Sequence, residues 1–399
     1  MRQLPPIRSA GRLALIGAAT LLSSGALAGP LHYNISEIPL MQGAAGSTAS
    51  GINDSAAITG YQTTSSFTSD AFTALGTNLA DVNSLNTQFG SFPQNSMGYA
   101  INDSGTIVGS EDSSGAATAF MLASGSTTIS ELGTLPGFQY SEALGISNSG
   151  VIVGDASGTT TAGYTMHAFV YANSTMTDLN SAINSAGAAA VESKANGINS
   201  NGDVTGYWQD GAGIQHAFVY NLNSGSLDTL PTLLPSASSS NSVGNAINSS
   251  GVVVGSADVA SGAFGPLQHA FSYSNSSITD LGALGGAGNF STAYAINSAG
   301  VVVGTSSDSS GSLNAFVTDA GTMYNLNSLV NQLDGWQLQG ATGINSNGDI
   351  VGYGVDPNST PAAFLLTPGA PPSVPEVPSS TAFCLISSAG VLAAKFRKR

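Results

Sequence analysis

A ten-residue motif recurs seven times along the chain and limits its possible folds more than any other feature. The clearest copy is Ala295–Gly304 (AINSAGVVVG), which is followed by Asn314–Phe316 (NAF). The glycine that ends the motif stands in all copies, at Gly60, Gly109, Gly154, Gly206, Gly255, Gly304 and Gly352. These glycines are separated by 49, 45, 52, 49, 49 and 48 residues. A period of this length indicates a repeat architecture in which each copy builds one unit of the fold.

One unit, residues 244–292, predicts four short strands. Its strand segments are Gly244–Asn248, Val252–Ser256, His269–Tyr273 and Ile278–Leu281. The first two are joined by a polar turn with a glycine and form a hairpin, and the third alternates apolar and polar residues as a half-buried strand does. A variable loop separates the second and third segments. Four antiparallel strands followed by a long connection predict a propeller blade.

Two other repeat folds, the helical solenoid and the β-helix, are disfavoured. Helical periodicity is absent, which disfavours helical solenoids, and the rungs of a β-helix, the main rival, are shorter than the observed period. The first copy, Asn53–Gly60, lacks the turn glycine, which leaves the regularity of its blade open.

The seventh copy ends early and indicates a closed ring. It supplies three strand segments, the last at Ala363–Leu366, before a proline-rich linker begins. The segment Leu31–Ile38 resembles the fourth strands of other copies and can complete this blade. Such pairing of the two ends removes exposed sheet edges. We therefore predict an all-β, seven-bladed propeller of four-stranded antiparallel blades over residues 29–368, closed by the N-terminal strand.

Charge is distributed very unevenly. Between residues 29 and 374, Lys194 is the one basic residue against 22 acidic residues, a difference of −21. Such a body cannot neutralise phosphates, which excludes nucleic acid as a partner. Acidic polysaccharides are disfavoured for the same reason.

The N-terminus predicts export. Residues 1–28 contain three arginines, the apolar run Leu13–Leu22 and the small-residue pattern Ala26–Ala28, which together indicate a signal peptide cleaved before Gly29. A retained anchor is the rival, but the apolar run is shorter than the roughly 20 residues that span a bilayer.

The C-terminus has three parts in a fixed order. A proline-rich linker with Pro375-Glu376 occupies residues 369–380, and residues 381–399 combine a short apolar segment with the basic tail Lys395–Arg399. An apolar helix followed by cations predicts a stop-transfer arrangement. The tail resembles the PEP-CTERM sorting signal of exported bacterial proteins, which implies an exosortase-type protease as partner. Val377 departs from that motif, with the proline displaced to Pro378, and an ordinary single-pass anchor is the rival.

The repeat itself also resembles a known family. The segments His167–Phe169, His216–Phe218 and His269–Phe271, together with Met176–Leu179 and Ile278–Leu281, are similar to the HAF repeat of bacterial proteins expected outside the cell. The resemblance covers residues 45–367 and implies a secreted or surface-displayed repeat protein. Four copies depart at the histidine position, with Asp70, Thr118, Asn314 and Ala362.

Candidate chemical residues are few and scattered. The three histidines belong to separate copies, which argues against a shared tetrahedral zinc ion. The asparagine of the Ile-Asn pair has no cluster of acids around it, as a calcium loop would need, and is interpreted as a turn former. The lone Cys384 lies in the C-terminal apolar stretch.

Motifs for catalysis are equally weak. No Gly-x-Ser-x-Gly elbow is present, and Glu131, Glu142 and Glu192 are interpreted as single acids, not as a catalytic pair. Trp208 and Trp336 could stack on a sugar, although Trp336 is expected to pack in the fold. We therefore assign no catalytic, cofactor-binding or metal-binding residue.

Two functions remain open. The first is a cell-surface or extracellular-matrix protein that binds polysaccharide or a surface protein without catalysis and contacts a membrane only through its C-terminal helix. The alternative is a secreted propeller hydrolase or lyase with its site at the channel mouth. Three or more convergent Asp, Glu or His side chains in the channel would favour the enzyme.

Overall fold

A computed structural model describes residues 31–66, 68–76, 78–81, 95–112, 115–160, 163–234, 240–262 and 265–370. The signal peptide predicted for residues 1–28, the sorting motif near Pro375-Glu376 and the C-terminal apolar segment lie outside these residues. Within the described ranges, no helix is both long and apolar enough to cross a membrane.

Seven antiparallel sheets of four strands each build the fold, as the repeat predicts. Blade 1 contains β2 (Ala44–Ile52), β3 (Ala57–Thr64), β4 (Ser69–Leu75) and β5 (Asn78–Asp81). Blade 2 contains β6 (Ser96–Ile101), β7 (Ile107–Glu111), β8 (Thr118–Leu122) and β9 (Ser130–Gly133). Blade 3 contains β10 (Tyr140–Ile146), β11 (Ile152–Thr160), β12 (Gly163–Ala172) and β13 (Thr175–Asp178).

The remaining blades have the same strand order. Blade 4 contains β14 (Glu192–Ile198), β15 (Asp203–Gln209), β16 (Gln215–Asn221) and β17 (Leu227–Thr229). Blade 5 contains β18 (Ser242–Ile247), β19 (Val253–Gly262), β20 (Gly265–Ser274) and β21 (Ser277–Asp280). Blade 6 contains β22 (Ser291–Ile296), β23 (Val302–Ser307), β24 (Leu313–Asp319) and β25 (Thr322–Asn325). Blade 7 contains β26 (Gln337–Ile344), β27 (Ile350–Val355), β28 (Pro361–Pro368) and the N-terminal β1 (Tyr33–Glu37).

The predicted ring closure is confirmed. Strand β1 pairs antiparallel with β28, with Tyr33 opposite Pro368 and Glu37 opposite Phe364. The N-terminal strand therefore supplies the fourth strand that the seventh repeat lacks, and the two ends of the propeller share one sheet.

The first strand of every blade is the innermost one. Each of these strands contacts the inner strands of both neighbouring blades. Small residues lie where these strands approach each other closely. At Gly98, for example, an added Cβ would clash with Thr59 Oγ1 of the preceding blade. The small residues of the inner strand therefore suit the crowded centre of the ring, as expected.

A glycine and a phenylalanine pack against each other in the core of each blade. The motif glycine of the second strand lies opposite the phenylalanine of the third strand, as Gly304 lies opposite Phe316. All seven of these phenylalanines are fully buried: Phe72, Phe120, Phe169, Phe218, Phe271, Phe316 and Phe364. A Cβ on Gly304 would run into the Thr292 carbonyl oxygen and the Phe316 ring. The glycine of the repeat is therefore required by close packing between two strands and an aromatic ring.

The first blade is regular despite its missing turn glycine. Ala56 takes the left-handed position with φ of 58°, which the turn glycines occupy in the other copies. Its N–H donates to the Asn53 carbonyl at 3.0 Å, as the Gly105 N–H donates to the Asn102 carbonyl at 2.9 Å. An alanine tolerates this conformation at a cost of about 1 kcal/mol.

Three local features differ from the sequence expectations. Residue Leu179, expected to end a fourth strand, instead begins the helix α1 (Leu179–Ser185), where Asp178 accepts the Ser181 N–H at the N-terminus. A 3-10 turn follows β25 at Leu326–Ser328. In blade 5 the expected loop between the second and third strands is largely strand, since β19 and β20 stay paired as far as Gly262 and Gly265.

Gly304→Ala tests the packing of the motif glycine. We expect a loss of about 2–3 kcal/mol in the free energy of unfolding, because the added methyl group has no room against backbone. The matched control is Gly288→Ala, where an added Cβ meets nothing within 4 Å. Urea denaturation of both variants measures the difference, and equal stabilities would contradict this account.

Candidate functional site

Buried asparagines link neighbouring blades at the turn end of the channel. The side-chain Nδ2 of Asn297 donates to the backbone oxygen of Asn345 at 3.1 Å, and that of Asn345 donates to the backbone oxygen of Asn53 at 3.1 Å, which joins the last blade to the first. The same bond joins Asn53 to Asn102, Asn102 to Ser147, Asn199 to Asn248, and Asn248 to Asn297. We call this series the asparagine relay.

Each asparagine of the relay also holds its own turn. The Asn297 Oδ1 accepts the N–H groups of Ala299 and Val301 at 3.1 and 3.0 Å. One side chain therefore satisfies two backbones at once, its own through the oxygen and that of the next blade through the nitrogen. The turn-forming role predicted for these residues is correct, but the link between blades was not foreseen.

A second series of bonds, the serine relay, joins the third strand of one blade to the inner strand of the next. The N–H of Ala270 donates to Ser291 Oγ at 2.8 Å. Equivalent bonds join Ala71 to Ser96, Ala119 to Ser141, Ala168 to Ser193, Ala217 to Ser242, and Ala363 to Ser47. Sequence analysis missed these serines, although each stands five residues before the isoleucine of the repeat.

A β-bulge interrupts every inner strand at the same place. In blade 6 the register shifts between Ala293 and Ala295, which leaves Tyr294 as the extra residue. The bulge residues of three blades carry donors that reach the next blade. Asn196 donates to the Gly244 oxygen at 2.9 Å, Asn245 to the Ala293 oxygen at 2.8 Å, and Thr342 to the Ala49 oxygen at 2.6 Å. A bulge leaves backbone groups unpaired, and these side chains satisfy some of them.

Within the described residues, the asparagine relay is broken between blades 3 and 4. Ser147 replaces asparagine there, and its hydroxyl stays within its own turn, 2.9 Å from Ser149 Oγ and 3.1 Å from the Val151 nitrogen. The bulge residue of blade 3 is Leu144, which has no donor. The contact between blades 3 and 4 therefore differs chemically from the contacts at the other positions of the relay.

An ion cluster occupies this same junction. Lys194 of blade 4 places its Nζ 3.0 Å from Asp155 Oδ1 and 3.8 Å from Glu142 Oε2 of blade 3. These three residues, here the Lys194 cluster, include the one basic residue between positions 29 and 374. The prediction that Glu142 stands as a single acid is therefore wrong, because folding brings it to Asp155 and Lys194.

Burial governs the protonation of the Lys194 cluster. It raises the pKa of the Glu142 and Asp155 carboxyls, and the nearby ammonium offsets only part of that effect. Burial acts to lower the pKa of Lys194, but the two carboxylates together outweigh it and the pKa is raised. The cluster carries two acids and one base, so at neutral pH the lysine is held charged by its partners.

Two tyrosines on inner strands, Tyr99 of blade 2 and Tyr294 of blade 6, have raised pKa values, and Tyr99 lies near the Lys194 cluster. Burial, and then the Glu142 carboxylate, raise the pKa of Tyr99 to about 12. Burial, and then Tyr353, raise the pKa of Tyr294 to about 12. Both phenols therefore stay neutral near neutral pH and can act as hydrogen-bond donors.

The turn end of the channel forms a shallow cavity of about 270 Å³ with two carboxylates. Asp54 Oδ1 accepts the Ser346 N–H at 2.8 Å, and Asp103 Oδ1 accepts the Asp54 N–H at 3.1 Å. Both side chains are bonded to neighbouring turns. They extend the contacts of the relay at the surface.

The His-Ala-Phe histidines lie in three separate blades and bridge strands. The Nδ1 of His167 lies 3.1 Å from Asp178 Oδ2, and the Nδ1 of His269 lies 2.9 Å from Asp280 Oδ1, each pairing a third strand with a fourth. In blade 4 the corresponding fourth-strand residue is Thr229, and His216 instead contacts Asp210 at 3.1 Å. Among the described residues there is no group of three or more His, Cys, Asp or Glu that could hold a metal ion.

The two tryptophans differ in environment. Trp336 is buried in a core cluster with Tyr33 and Leu338, as expected. Trp208 stacks on His216 at a ring distance of 4.2 Å. His216 therefore covers one face of the Trp208 ring, which is half-buried.

Comparison with known proteins defines a family and a fold. A family model described as "Protein of unknown function (DUF3466)" matches residues 137–359, more than half of the chain. No protein with a curated description matches the sequence at a significant level.

Distant solved structures share the fold. A Mycobacterium tuberculosis puromycin-hydrolysing peptidase aligns with a TM-score of 0.52 and 10% identity, over 85% of this chain and 55% of that protein. A structure from a study of two prolyl endopeptidases aligns with a TM-score of 0.50 and 8% identity, over 86% and 51%. A puromycin hydrolase complexed with PGG aligns with a TM-score of 0.50 and 10% identity, over 83% and 54%. The chain spans about half the length of these peptidases, and at such identities the likeness concerns the fold alone.

Paired substitutions test the asparagine relay. Asn297→Ser retains an oxygen for its own turn but removes the bond to blade 7, so we expect the free energy of unfolding to fall by about 1 kcal/mol. Ser147→Asn supplies the missing donor between blades 3 and 4 and is expected to raise it by about 0.5–1 kcal/mol. Chemical denaturation measures both, and an unchanged Asn297→Ser variant would count against the relay.

Lys194→Met tests the ion cluster through its pH dependence. Without the ammonium, burial leaves the pKa of the Glu142 and Asp155 carboxyls raised in the folded protein. The variant is therefore most stable below the ordinary carboxyl pKa, where both groups are protonated, and it loses stability as the pH rises through the raised values. At pH 7.5 we expect a loss of about 2 kcal/mol, less than for fully buried pairs, because the Lys194 and Glu142 side chains are 26% and 35% exposed. At pH 4.5 the loss should be clearly smaller. Lys194→Arg is the charge-preserving control, and a loss independent of pH would exclude this role.

Proposed function

The chain belongs to the DUF3466 family, and we propose that it is an exported β-propeller of the cell surface or extracellular matrix that acts as a non-catalytic binding or structural scaffold. The proposal takes from the sequence the predicted signal peptide, the predicted sorting tail and the resemblance to the HAF repeat. Its proposed partners are an exosortase-type protease that acts on the tail, and an extracellular polysaccharide or surface protein that contacts the propeller.

One structural observation carries the scaffold role. The polar residues that recur in the repeat are used to join blade to blade: Asn297 bonds the next blade, and Ala270 donates to Ser291. The histidines of the repeat pair with aspartates of their own blade. The repeated polar chemistry thus supports a rigid ring, and recognition is assigned to residues that differ between copies.

The enzyme alternative is favoured by a different observation. The Lys194 cluster brings together two acids with raised pKa values and a lysine, near the neutral Tyr99. Acids tuned in this way are suited to proton transfer. A secreted polysaccharide hydrolase or lyase using this cluster should lose activity when Glu142 is replaced by Gln.

The two functions are separated by one assay. We expect the purified exported protein to release no new reducing ends or unsaturated products from a panel of neutral and acidic polysaccharides, while it binds at least one of them or an extracellular protein. Turnover that Glu142→Gln abolishes would establish the enzyme and overturn the scaffold.

Export and sorting are tested in the full chain. Replacing Pro375 and Glu376 by alanine should leave the protein in the membrane fraction at its uncleaved mass, because the proposed protease has lost its recognition site. The matched control replaces Pro371 and Pro372 in the same linker. Fractionation with mass measurement reports both, and an intracellular wild-type protein would contradict the proposal.

A further inference from the structure

A surface groove opens at the junction of blades 3 and 4. It has a volume of about 530 Å³ and is lined by Phe138, Thr160, Gly163, Tyr164, Thr165, His167, Val191 and Glu192. Blade 3 supplies one wall through the hairpin of β11 and β12, and the start of blade 4 supplies the other. We call it the hairpin groove. Ser147, which breaks the asparagine relay, lies at the same junction but at the other end of β11, since Ile152 begins that strand next to the Ser147 turn and Thr160 ends it at the groove.

The hairpin groove presents apolar side chains to solvent. Tyr164 is 65% exposed and Val191 is 48% exposed. Phe138 lies against His167 with ring centroids 5.0 Å apart. The hydrophobic core does not require a tyrosine at a hairpin end, and an exposed aromatic ring beside apolar surface is typical of a contact site.

The walls are held in place before any ligand binds. Thr165 Oγ1 donates to the Val191 oxygen at 3.4 Å, which ties the hairpin to blade 4. The Thr159 N–H donates to Gln139 Oε1 at 2.7 Å, and Thr160 Oγ1 donates to the Gly163 oxygen at 3.0 Å. A pre-formed groove loses little conformational entropy on binding.

Chemistry and charge together select the ligand. Aromatic and aliphatic faces alongside the Glu192 carboxylate and threonine hydroxyls suit a molecule with both apolar faces and many hydroxyl groups. An anionic ligand is disfavoured, since the body carries 22 acids and its one lysine is engaged with Asp155. We propose that the hairpin groove binds a neutral oligosaccharide, with Tyr164 stacking on a sugar face and Glu192 accepting sugar hydroxyls. The inference rests on the proposed binding function and names its site and ligand class.

Calorimetric titration of the full-length protein tests the site. The probes are three neutral hexasaccharides (cellohexaose, xylohexaose and mannohexaose) and one acidic probe, hexagalacturonate. We expect at least one neutral probe to bind and the acidic probe not to bind. Tyr164→Ala should weaken that binding by about tenfold or more, as loss of a central aromatic contact does. Val191→Asp, which replaces apolar surface of the groove with a hydrated charge, should also weaken it.

The control is Tyr324→Ala in blade 6, because Tyr324 is an exposed tyrosine far along the ring at 41% exposure. It should bind as the wild type does, and thermal melting checks that all variants fold. Unchanged affinity in both groove variants, binding of the acidic probe alone, or no binding of any neutral probe would overturn the inference. None of these outcomes affects the proposed scaffold function, which fails instead if the wild type degrades a polysaccharide or is not exported.

Discussion

The ring depends on a buried asparagine amide that serves two backbones at once. Its oxygen caps the tight turn of its own blade, and its nitrogen bonds the equivalent residue of the next blade, from Asn53 to Asn102 and finally from Asn345 back to Asn53. A buried amide left without partners costs about 1–3 kcal/mol. The turn and the spacing of blades are therefore coupled, since a blade that moves away leaves its neighbour's amide unsatisfied. The serine relay repeats this coupling farther from the axis.

The junction of blades 3 and 4 keeps the serine bond from Ala168 to Ser193 but lacks the asparagine bond. The Ser147 hydroxyl bonds within its own turn, and Lys194 joins the two blades by pairing with Asp155 and Glu142. An ion pair in a partly buried place is sensitive to pH, unlike a hydrogen bond donated by an asparagine amide. The helix α1 and the hairpin groove lie at the same junction, which concentrates the departures from the repeat in one part of the ring.

Sequence reasoning succeeded where the determinants were local and repeated. The seven glycines, the turn asparagines and the spare strand Leu31–Ile38 were enough to predict seven four-stranded blades and their closure. It failed where partners are distant in sequence. Nothing near Glu142 indicates that Lys194, 52 residues later, will contact it. The start of α1 at Leu179 was missed because the Met-Thr-Asp-Leu segment matches a strand pattern of other copies, while Asp178 caps a helix in this one.

By itself, the sequence determined the blade count, the strand order within a blade and the absence of basic residues from most of the body. These properties follow from the length of the repeat, from the residues that form its turns and from the composition. None of them depends on which residues contact one another in the folded chain. Only the tertiary structure decided which polar residues face one another across blades, where the relay is broken and where exposed aromatic rings meet a groove. The physical reason is that a radial stack of blades creates its contacts between positions one whole repeat apart. Such contacts depend on how the sheets twist and pack, and not on local preference.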